Sequence, residues 1–189
     1  MTAHKHRKAL VRQRAGRTGE SYTAALQHLR THQVEDAMET TTWRRIDKPD
    51  FGYAFSVPEG WVETPPNLKN SPWWEVRFAD PEDRRRDCVV FRQPVIAGQT
   101  AADVVANVRT HLKGYGFGAF VVENVSVASR QGVCLDFAKS DAGRTWSCQE
   151  YFVVNGDTCF CVGFGTSTLT EDRPLIEAIV GSFAIVPVP

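Results

Sequence analysis

The sequence predicts an α+β protein, an antiparallel β-sheet sandwich with helices packed on it, preceded by an N-terminal helical arm. Residues 51–57 alternate large apolar with small side chains, the period of two expected of a strand with one buried face. Turn signals at 131–132, 141–143 and 155–156 separate four apolar segments and predict consecutive hairpins. Two segments with helical spacing, one central and one C-terminal, accompany these strands. This combination is typical of α+β architecture.

The composition is that of a globular protein. Hydrophobic residues make up 42% of the 189 residues and charged residues 23%, which excludes a disordered chain. No apolar run approaches the roughly 18–20 residues that cross a bilayer. The basic N-terminus contains only Ala9-Leu10-Val11 as an apolar segment, far short of the about 7–15 residues at the centre of a secretion signal. We therefore expect a cytosolic protein with no membrane partner.

The cysteines favour free thiols, because an odd number does not complete a disulfide framework. They are Cys88, Cys134, Cys148, Cys159 and Cys161. Cys159 and Cys161 are two residues apart, so on a strand they face the same side, with Cys148 on the neighbouring strand. Thiolate metal sites use loops such as C-x-x-C, a spacing absent here. We expect the cysteines to be buried and to act as small hydrophobic side chains, and we predict no metal and no cofactor.

Charge is distributed unevenly. Residues 1–34 contain seven Lys or Arg and one acid, Glu20, a net charge of +6. Since the whole chain is neutral, the remainder carries −6. The sequence thus predicts a basic arm on an acidic body. Three binding partners stay open for the arm, namely its own body, an acidic partner and nucleic acid.

The arm is predicted to contain two helices and a linker. Residues 4–16 are rich in Lys, Arg and Ala and predict the first helix. Ser21 is a suitable N-cap for a second helix, which runs from Tyr22 to about His32. The polar residues 33–42 then form a linker. We predict two domains, with residues 1–42 as the basic arm and linker and residues 43–189 as the sandwich.

The second helix carries an apolar stripe that requires a packing partner. Tyr22, Leu26 and Leu29 lie on one face together with Ala25. Isolated helices below about 12–15 residues are marginal, so this stripe must pack on the first helix, the body or a second chain. Tyr22, Leu26 and Leu29 are therefore candidate partner-binding residues.

The first half of the body contains strands and one helix. Pro58 and Gly60 form the turn after the opening strand, and Trp61 anchors its exit. Further strands are predicted over 73–78 and 88–95. A helix follows, begun by Thr100 with Asp103 three residues on, an arrangement like a capping box, and ended near Gly114.

The second half is predicted to be an antiparallel meander. Its strands cover 120–128, 133–138, 144–154 and 158–165. Thr170 then caps a short helix that carries Ile176 and Ile179, and residues 183–188 form a final strand or packed tail.

These residues resemble a known family. Phe51-Gly-Tyr-Ala-Phe-Ser-Val-Pro-Glu-Gly-Trp61 is similar to the opening of the Mog/PsbP-like α/β sandwich. The capped helix after Gly98, the segment Gln149-Glu-Tyr-Phe-Val-Val-Asn-Gly156 and the closing Ile176-Glu-Ala-Ile-Val-Gly-Ser-Phe183 follow in the same order. The resemblance covers about residues 44–187. It implies the sandwich fold and binding to a protein surface rather than a common reaction.

A second resemblance concerns the arm. Arg17-Thr-Gly-Glu-Ser-Tyr-Thr-Ala-Ala-Leu-Gln-His-Leu29 is similar to the helix junction of ribbon-helix-helix antitoxins, which read DNA with a strand before the first helix. Here only Met1-Thr2-Ala3 precedes the basic run, which is too short to form that strand. The resemblance implies an alternative function, a nucleic-acid-associated regulator that contacts phosphates through basic residues. These are Lys5, Arg7, Lys8, Arg12, Arg14 and Arg17.

No catalytic signature is present. The chain lacks a G-x-S-x-G elbow, a P-loop and an H-E-x-x-H helix. Gly114-Tyr-Gly-Phe-Gly118 closes a helix and leads into a strand, so it predicts a helix end and a turn rather than a phosphate loop. We therefore expect a protein that is not an enzyme.

The tryptophans are the remaining candidates for a binding site. Trp73 and Trp74 point to opposite faces of a strand, so one of them is exposed unless a second layer covers it. Trp61, Trp73 and Trp74 are therefore candidate partner-binding residues, with core packing as the alternative. The leading prediction is a non-enzymatic, cytosolic protein-binding or adaptor module. Its partner is another polypeptide, and self-association through the N-terminal helices is included.

Overall fold

The computed structural model describes residues 12, 15, 16, 18–25, 41–83 and 86–188. The chain divides into two compact units, residues 1–41 and residues 42–189, and each is described separately.

In the first unit, Ser21 begins a helix as its residue type predicts. Its hydroxyl oxygen accepts a hydrogen bond from the Ala24 N–H at 3.2 Å, and its carbonyl accepts one from the Ala25 N–H at 2.9 Å. The helix starts at Tyr22, so the predicted N-cap is confirmed. Most of the other predicted helix, residues 4–16, lies outside the described residues.

The described part of the second unit, the body, contains ten strands, two α-helices and one 3-10 turn. The strands are β1 Trp43–Lys48, β2 Tyr53–Pro58, β3 Val62–Thr64, β4 Trp74–Ala79, β5 Asp87–Pro94, β6 Gly118–Val127, β7 Arg130–Asp141, β8 Arg144–Asn155, β9 Thr158–Thr166 and β10 Ala184–Ile185. The helices are α1 Ala101–Gly114 and α2 Leu169–Ser182, and the 3-10 turn is Pro49–Phe51.

The strands form two antiparallel sheets. One has the order β1-β2-β10 and the other β3-β4-β5-β9-β8-β7-β6. The predicted meander is confirmed, because β6, β7, β8 and β9 pair successively. With helices packed on these sheets, the predicted α+β sandwich is confirmed as well.

Two hydrophobic cores lie on the two faces of the seven-stranded sheet. Core 1 joins one face to the three-stranded sheet and α2, as the ring contacts of Tyr53 with Phe160 and Phe55 with Phe78 illustrate. Core 2 joins the other face to α1. Alternation along β8 and β9 divides their residues between the cores, and Cys148, Cys159 and Cys161 all belong to core 2.

All five cysteines are buried and free, which confirms their predicted role as small hydrophobes. Burial raises the pKa of Cys134, Cys148 and Cys159 to about 12. Thiols this weakly acidic are poor nucleophiles and poor metal ligands, because both roles require the thiolate.

The opening strand begins later than predicted. Residues 49–51 form the 3-10 turn, and Gly52 closes it with φ of 79°, so β2 starts at Tyr53 and Phe51 lies outside the sheet. Pro49 at the start of the turn explains the difference, since its fixed φ suits a helical turn. The sequence pattern also missed β1, which pairs with the whole length of β2.

Of the two helices of the body, one begins where the sequence predicts. For α1, the Thr100 hydroxyl and the Asp103 carboxylate form both halves of the capping box. For α2, the residue before the helix is Thr168, not Thr170. The helix therefore begins two residues earlier than predicted, and the Thr168 hydroxyl donates a hydrogen bond to the Asp172 carboxylate at 2.8 Å.

The first hairpin turn was predicted at the wrong residues. The β6–β7 turn is Ala128–Ser129, both with positive φ, whereas Gly132 lies within β7. Gly132 is required there for another reason, because a Cβ atom on it would lie 2.5 Å from the Phe152 carbonyl oxygen. The turn between β8 and β9 is likewise displaced by one residue, to Gly156–Asp157.

Gly132→Ala is therefore expected to lower the free energy of unfolding by about 2 kcal/mol, since a backbone oxygen cannot move aside as a side chain does. Urea denaturation measures it. Gly181→Ala on α2 is the matched control, because no heavy atom lies within 4 Å of its added methyl group. That substitution should raise stability by about 0.5 kcal/mol through helix propensity. Equal effects of the two substitutions would contradict the close approach.

Candidate functional site

The three predicted tryptophans occupy different environments. Trp61 is 6% exposed and belongs to core 1, where its N–H closes the turn onto the Pro58 carbonyl at 3.0 Å. Trp73 is 41% exposed. Trp74 is half-buried, and its ring centroid lies 5.8 Å from that of Phe91. Of the three, Trp73 is therefore the one whose side chain a partner can reach.

Trp73 lies in an exposed surface formed with residues that the sequence pattern did not single out. We call Phe51, Trp73, Arg92 and Val188 the aromatic patch. The Arg92 N–H donates to the Trp73 carbonyl at 2.8 Å, and the Arg92 guanidinium carbon lies 5.9 Å from the Phe51 ring centroid. Phe51, Trp73 and Val188 are all exposed. The guanidinium thus lies over the Phe51 ring, and a backbone hydrogen bond joins Arg92 to Trp73.

Backbone contacts hold the patch in place. Gly52, the residue after Phe51, accepts a hydrogen bond from the Val186 N–H at 2.9 Å. A Cβ atom on Gly52 would lie 3.2 Å from a methyl carbon of Val188, so the C-terminal segment lies against the 3-10 turn. Arg92 is fixed within β5 by pairing with Phe160 of β9. The patch therefore consists of side chains on well-held backbone, which reduces the entropy lost when a partner binds.

Charged groups lie beside the patch. Burial raises the pKa of Glu75, and the charges of Arg92 and Lys48 oppose that rise. Lys48 also pairs with Glu63, with Nζ 3.0 Å from Oε1. The surface therefore combines exposed apolar side chains with a polar border, the usual composition of a protein-binding surface.

A separate polar cluster lies where β9 meets α2. Asp172 is buried and accepts hydrogen bonds from the hydroxyls of Thr166 and Thr168. Arg86 contacts the same carboxylate through Nε at 2.9 Å and Nη2 at 2.7 Å, and reaches Asp80 at 3.2 Å. These bonds join the β4–β5 connection to the start of α2. Every polar group of Asp172 is engaged, so the cluster is structural.

The arm residues are only partly described. Tyr22 is exposed, and so is Arg12. The remaining predicted arm residues lie outside the described residues; they are Leu26, Leu29, Lys5, Arg7, Lys8, Arg14 and Arg17. Self-association through the stripe and phosphate binding through the basic run both stay predictions.

The chemistry of the patch is that of binding. It offers two rings, a guanidinium and a methyl surface, and it contains no nucleophile, general base or thiolate. Across the described ranges, no three His, Cys, Asp or Glu side chains converge in a way that could hold a metal ion. The aromatic patch can therefore stack, form hydrogen bonds and exclude water.

Sequence comparison gives no match, whereas structural comparison identifies the fold. No protein-family model matches the chain, and no curated protein matches it by sequence. Solved structures do match over most of its length. The chain has the Mog/PsbP-like α/β sandwich fold, as the resemblance of its sequence implied.

Three of these structures illustrate the likeness. Cyanobacterial PsbP (CyanoP) from Synechocystis sp. PCC 6803 matches with a TM-score of 0.60 and 16% identity, over 77% of this chain and 93% of that one. LpqN, involved in cell envelope biogenesis of Mycobacterium tuberculosis, matches with a TM-score of 0.55 and 15% identity, over 82% of this chain and 95% of that one. PA94 of Pseudomonas aeruginosa, a protein of unknown function, matches with a TM-score of 0.50 and 18% identity, over 79% of this chain and 98% of that one.

These likenesses show the fold alone, since all three identities are below 20%. No helix in the described part of the chain is long and apolar enough to cross a membrane. One similar protein is involved in cell envelope biogenesis, so the cytosolic location stays a prediction.

Proposed function

We propose that the chain is a non-catalytic binding module that takes up a polypeptide segment on its aromatic patch. The observation that carries this proposal is the exposure of Phe51 and Trp73. The Phe51 ring lies under the Arg92 guanidinium, and the Trp73 carbonyl accepts a hydrogen bond from the Arg92 N–H. Exposed apolar groups on a well-ordered surface mark interaction sites. Trp and Arg are also the residue types most enriched among side chains that dominate binding energy.

The chemistry of the patch indicates the kind of segment it binds. The rings of Phe51 and Trp73 favour an apolar or aromatic side chain on the partner. Arg92 presents N–H donors, which favour a carbonyl or carboxylate beside that side chain. The partner segment therefore combines an apolar anchor with a neighbouring acceptor, and the flanking Lys48–Glu63 pair contributes specificity rather than affinity.

A displayed library of random dodecamer peptides tests the proposal with the full chain as target. Selected peptides should carry an apolar anchor, and fluorescence polarisation should show affinity at least about tenfold weaker for Trp73→Ala, because the anchor loses its ring. The matched control is Ile96→Ala. Ile96 is more exposed than Trp73, at 79%, but lies on the connection before α1, away from the patch residues.

Two results would overturn the proposal. One is that selection yields no peptide with saturable binding. The other is that the selected peptides bind the Trp73→Ala and Phe51→Ala variants as tightly as the unaltered chain. Circular dichroism of each variant verifies that the fold is retained, which is expected because both side chains are largely outside the cores.

A further inference from the structure

Glu150 occupies an unusual position on the core 2 face of the seven-stranded sheet. It lies at the middle of β8, where its cross-strand neighbours are Leu135 on β7 and Gly163 on β9. Because glycine has no side chain, the Glu150 side chain extends over Gly163. A Cβ atom on Gly163 would lie 3.3 Å from Glu150 Cγ and 3.6 Å from its Oε1. The Glu150 carboxylate therefore lies over β9 on the core 2 face of the sheet.

The surroundings of this carboxylate are apolar. The Phe91 ring of β5 lies next to the Glu150 side chain. Its nearest carbon would be 3.4 Å from a Cβ atom on Gly163. Cys148, Phe152 and Cys161, its neighbours on β8 and β9, belong to core 2. The residues that α1 contributes to core 2 are alanine, valines and leucine. No charge from the helix compensates the carboxylate.

The carboxylate also lacks a polar partner. Throughout the described ranges, no hydrogen bond or ion pair to Glu150 is formed, although the residue is partly accessible to solvent. Burial raises its pKa to about 7, with no opposing charge. Elsewhere on the sheet, Asp87 is paired with Arg77, whose Nε lies 2.7 Å from Oδ2. A half-buried carboxylate without a partner is costly, which points to a ligand as the missing partner.

Aromatic groups border the same region. Trp146 lies over Gly165, so closely that any Cβ there would clash with the indole. Trp74 packs on Phe91, and its indole N–H is buried without an acceptor in the described part of the chain. Phe91, Trp146 and Trp74 are each partly exposed. Aromatic faces beside a carboxylate are the combination that recognises organic cations.

We propose that Glu150 anchors a binding site for an organic cation, an ammonium or guanidinium group attached to an apolar body. The charge of the ligand pairs with the Glu150 carboxylate, and its apolar body covers Phe91 and Trp146. Glu150, Phe91 and Trp146 are all partly exposed, so the ligand reaches them from the solvent. This site lies on the core 2 face, whereas the aromatic patch lies beside the 3-10 turn, so the two proposals are independent.

The cation can come from a free amine or from a Lys or Arg side chain, and three probes distinguish these sources. Phenethylammonium represents the free amine, N-acetyl-lysine methylamide the side chain, and phenethyl alcohol the uncharged control. Amide chemical shifts of Gly163 and Gly165 and the fluorescence of Trp146 report binding. Saturable binding of either cation, with the alcohol at least tenfold weaker, is the expected result. The tighter of the two cations identifies the source.

The pH dependence and two variants identify the anchoring group. Glu150→Gln should weaken cation binding at least tenfold, whereas Glu123→Gln on the exposed surface of β6 should leave it unchanged. Affinity should fall about tenfold from pH 8 to pH 6, because a group with a pKa of about 7 is about 90% ionised at the first and about 10% at the second. The cysteines on this face stay protonated over that range, and Asp87 stays paired with Arg77.

Any of three results would overturn the site. These are no saturable binding of either cation at about 20 mM, equal binding of the alcohol, and equal binding by Glu150→Gln. Trp73→Ala should leave cation binding intact, so failure of the aromatic patch and failure of this site give different results. Urea denaturation of Glu150→Gln verifies its folding independently of any ligand.

Discussion

Asp172→Ala is expected to lower the free energy of unfolding by about 3 kcal/mol. Asp172 is 3% exposed, and its carboxylate binds Arg86 through two nitrogens and the hydroxyls of Thr166 and Thr168. Removing one partner of a buried ion pair costs about 3–5 kcal/mol, because the remaining groups are left without compensation. Arg86 is partly accessible and can regain water, so the lower end of that range applies.

Urea denaturation of Asp172→Ala and of two comparison variants measures this effect. Glu177→Ala is the matched control, because Glu177 lies on the exposed side of the same helix and should change stability by no more than about 0.5 kcal/mol. Asp172→Asn keeps the shape and removes the charge, so it should fall between the two. If Asp172→Ala were no more destabilising than Glu177→Ala, the cluster would not join the β4–β5 connection to α2.

Glu150→Gln is expected to stabilise the protein at pH 8 by up to about 3 kcal/mol and to have no effect at pH 4. Burial raises the pKa of Glu150 from 4.5 to about 7. The folded state therefore holds a proton that the unfolded state releases between these two values. Stability from this group is fully present below pH 4.5 and is lost as the pH rises to about 7. A pKa raised from 4.5 to about 7 corresponds to about 3.5 kcal/mol, and because Glu150 is partly accessible to solvent the expected effect is smaller.

Thermal or urea unfolding from pH 4 to pH 8 measures the difference between the two proteins. Asp87 and Glu75 also have raised pKa values through burial, so the unaltered chain alone would show a combined pH dependence. Comparison with Glu150→Gln cancels these shared contributions. A constant difference across the range would contradict a raised pKa of Glu150 in the folded state. Such a result would not bear on the aromatic patch.

The parts of the fold that the sequence predicted are those determined by local patterns. Alternation gave the four strands of the meander, and the Thr100–Asp103 spacing gave the start of α1. Trp43–Lys48 was missed because its charged and apolar residues, WRRIDK, form a strand only through pairing with β2. Gly132 was assigned to a turn because the approach of Phe152, twenty residues further along, leaves no local signal.

The candidate sites were predicted less completely. One exposed tryptophan was expected from the pair Trp73–Trp74, but Trp73 is exposed in the turn before β4 and not on the strand. Phe51 and Arg92 were not identified, because their contact depends on the 3-10 turn that removes Phe51 from the strand. Glu150 looked like an ordinary acid within an apolar segment. Its isolation becomes evident only when β9 places Gly163 opposite it.

The position of β5 beside β9 has a consequence for how the body folds. The turns between β6, β7, β8 and β9 contain two residues each, so the entropy lost in closing them is small. Val90 on β5, in contrast, pairs with Val162 on β9, about 70 residues further along the chain. Such non-local pairing slows folding towards the range of milliseconds to seconds. We expect the C-terminal meander to form first and to provide the edge on which the N-terminal strands assemble.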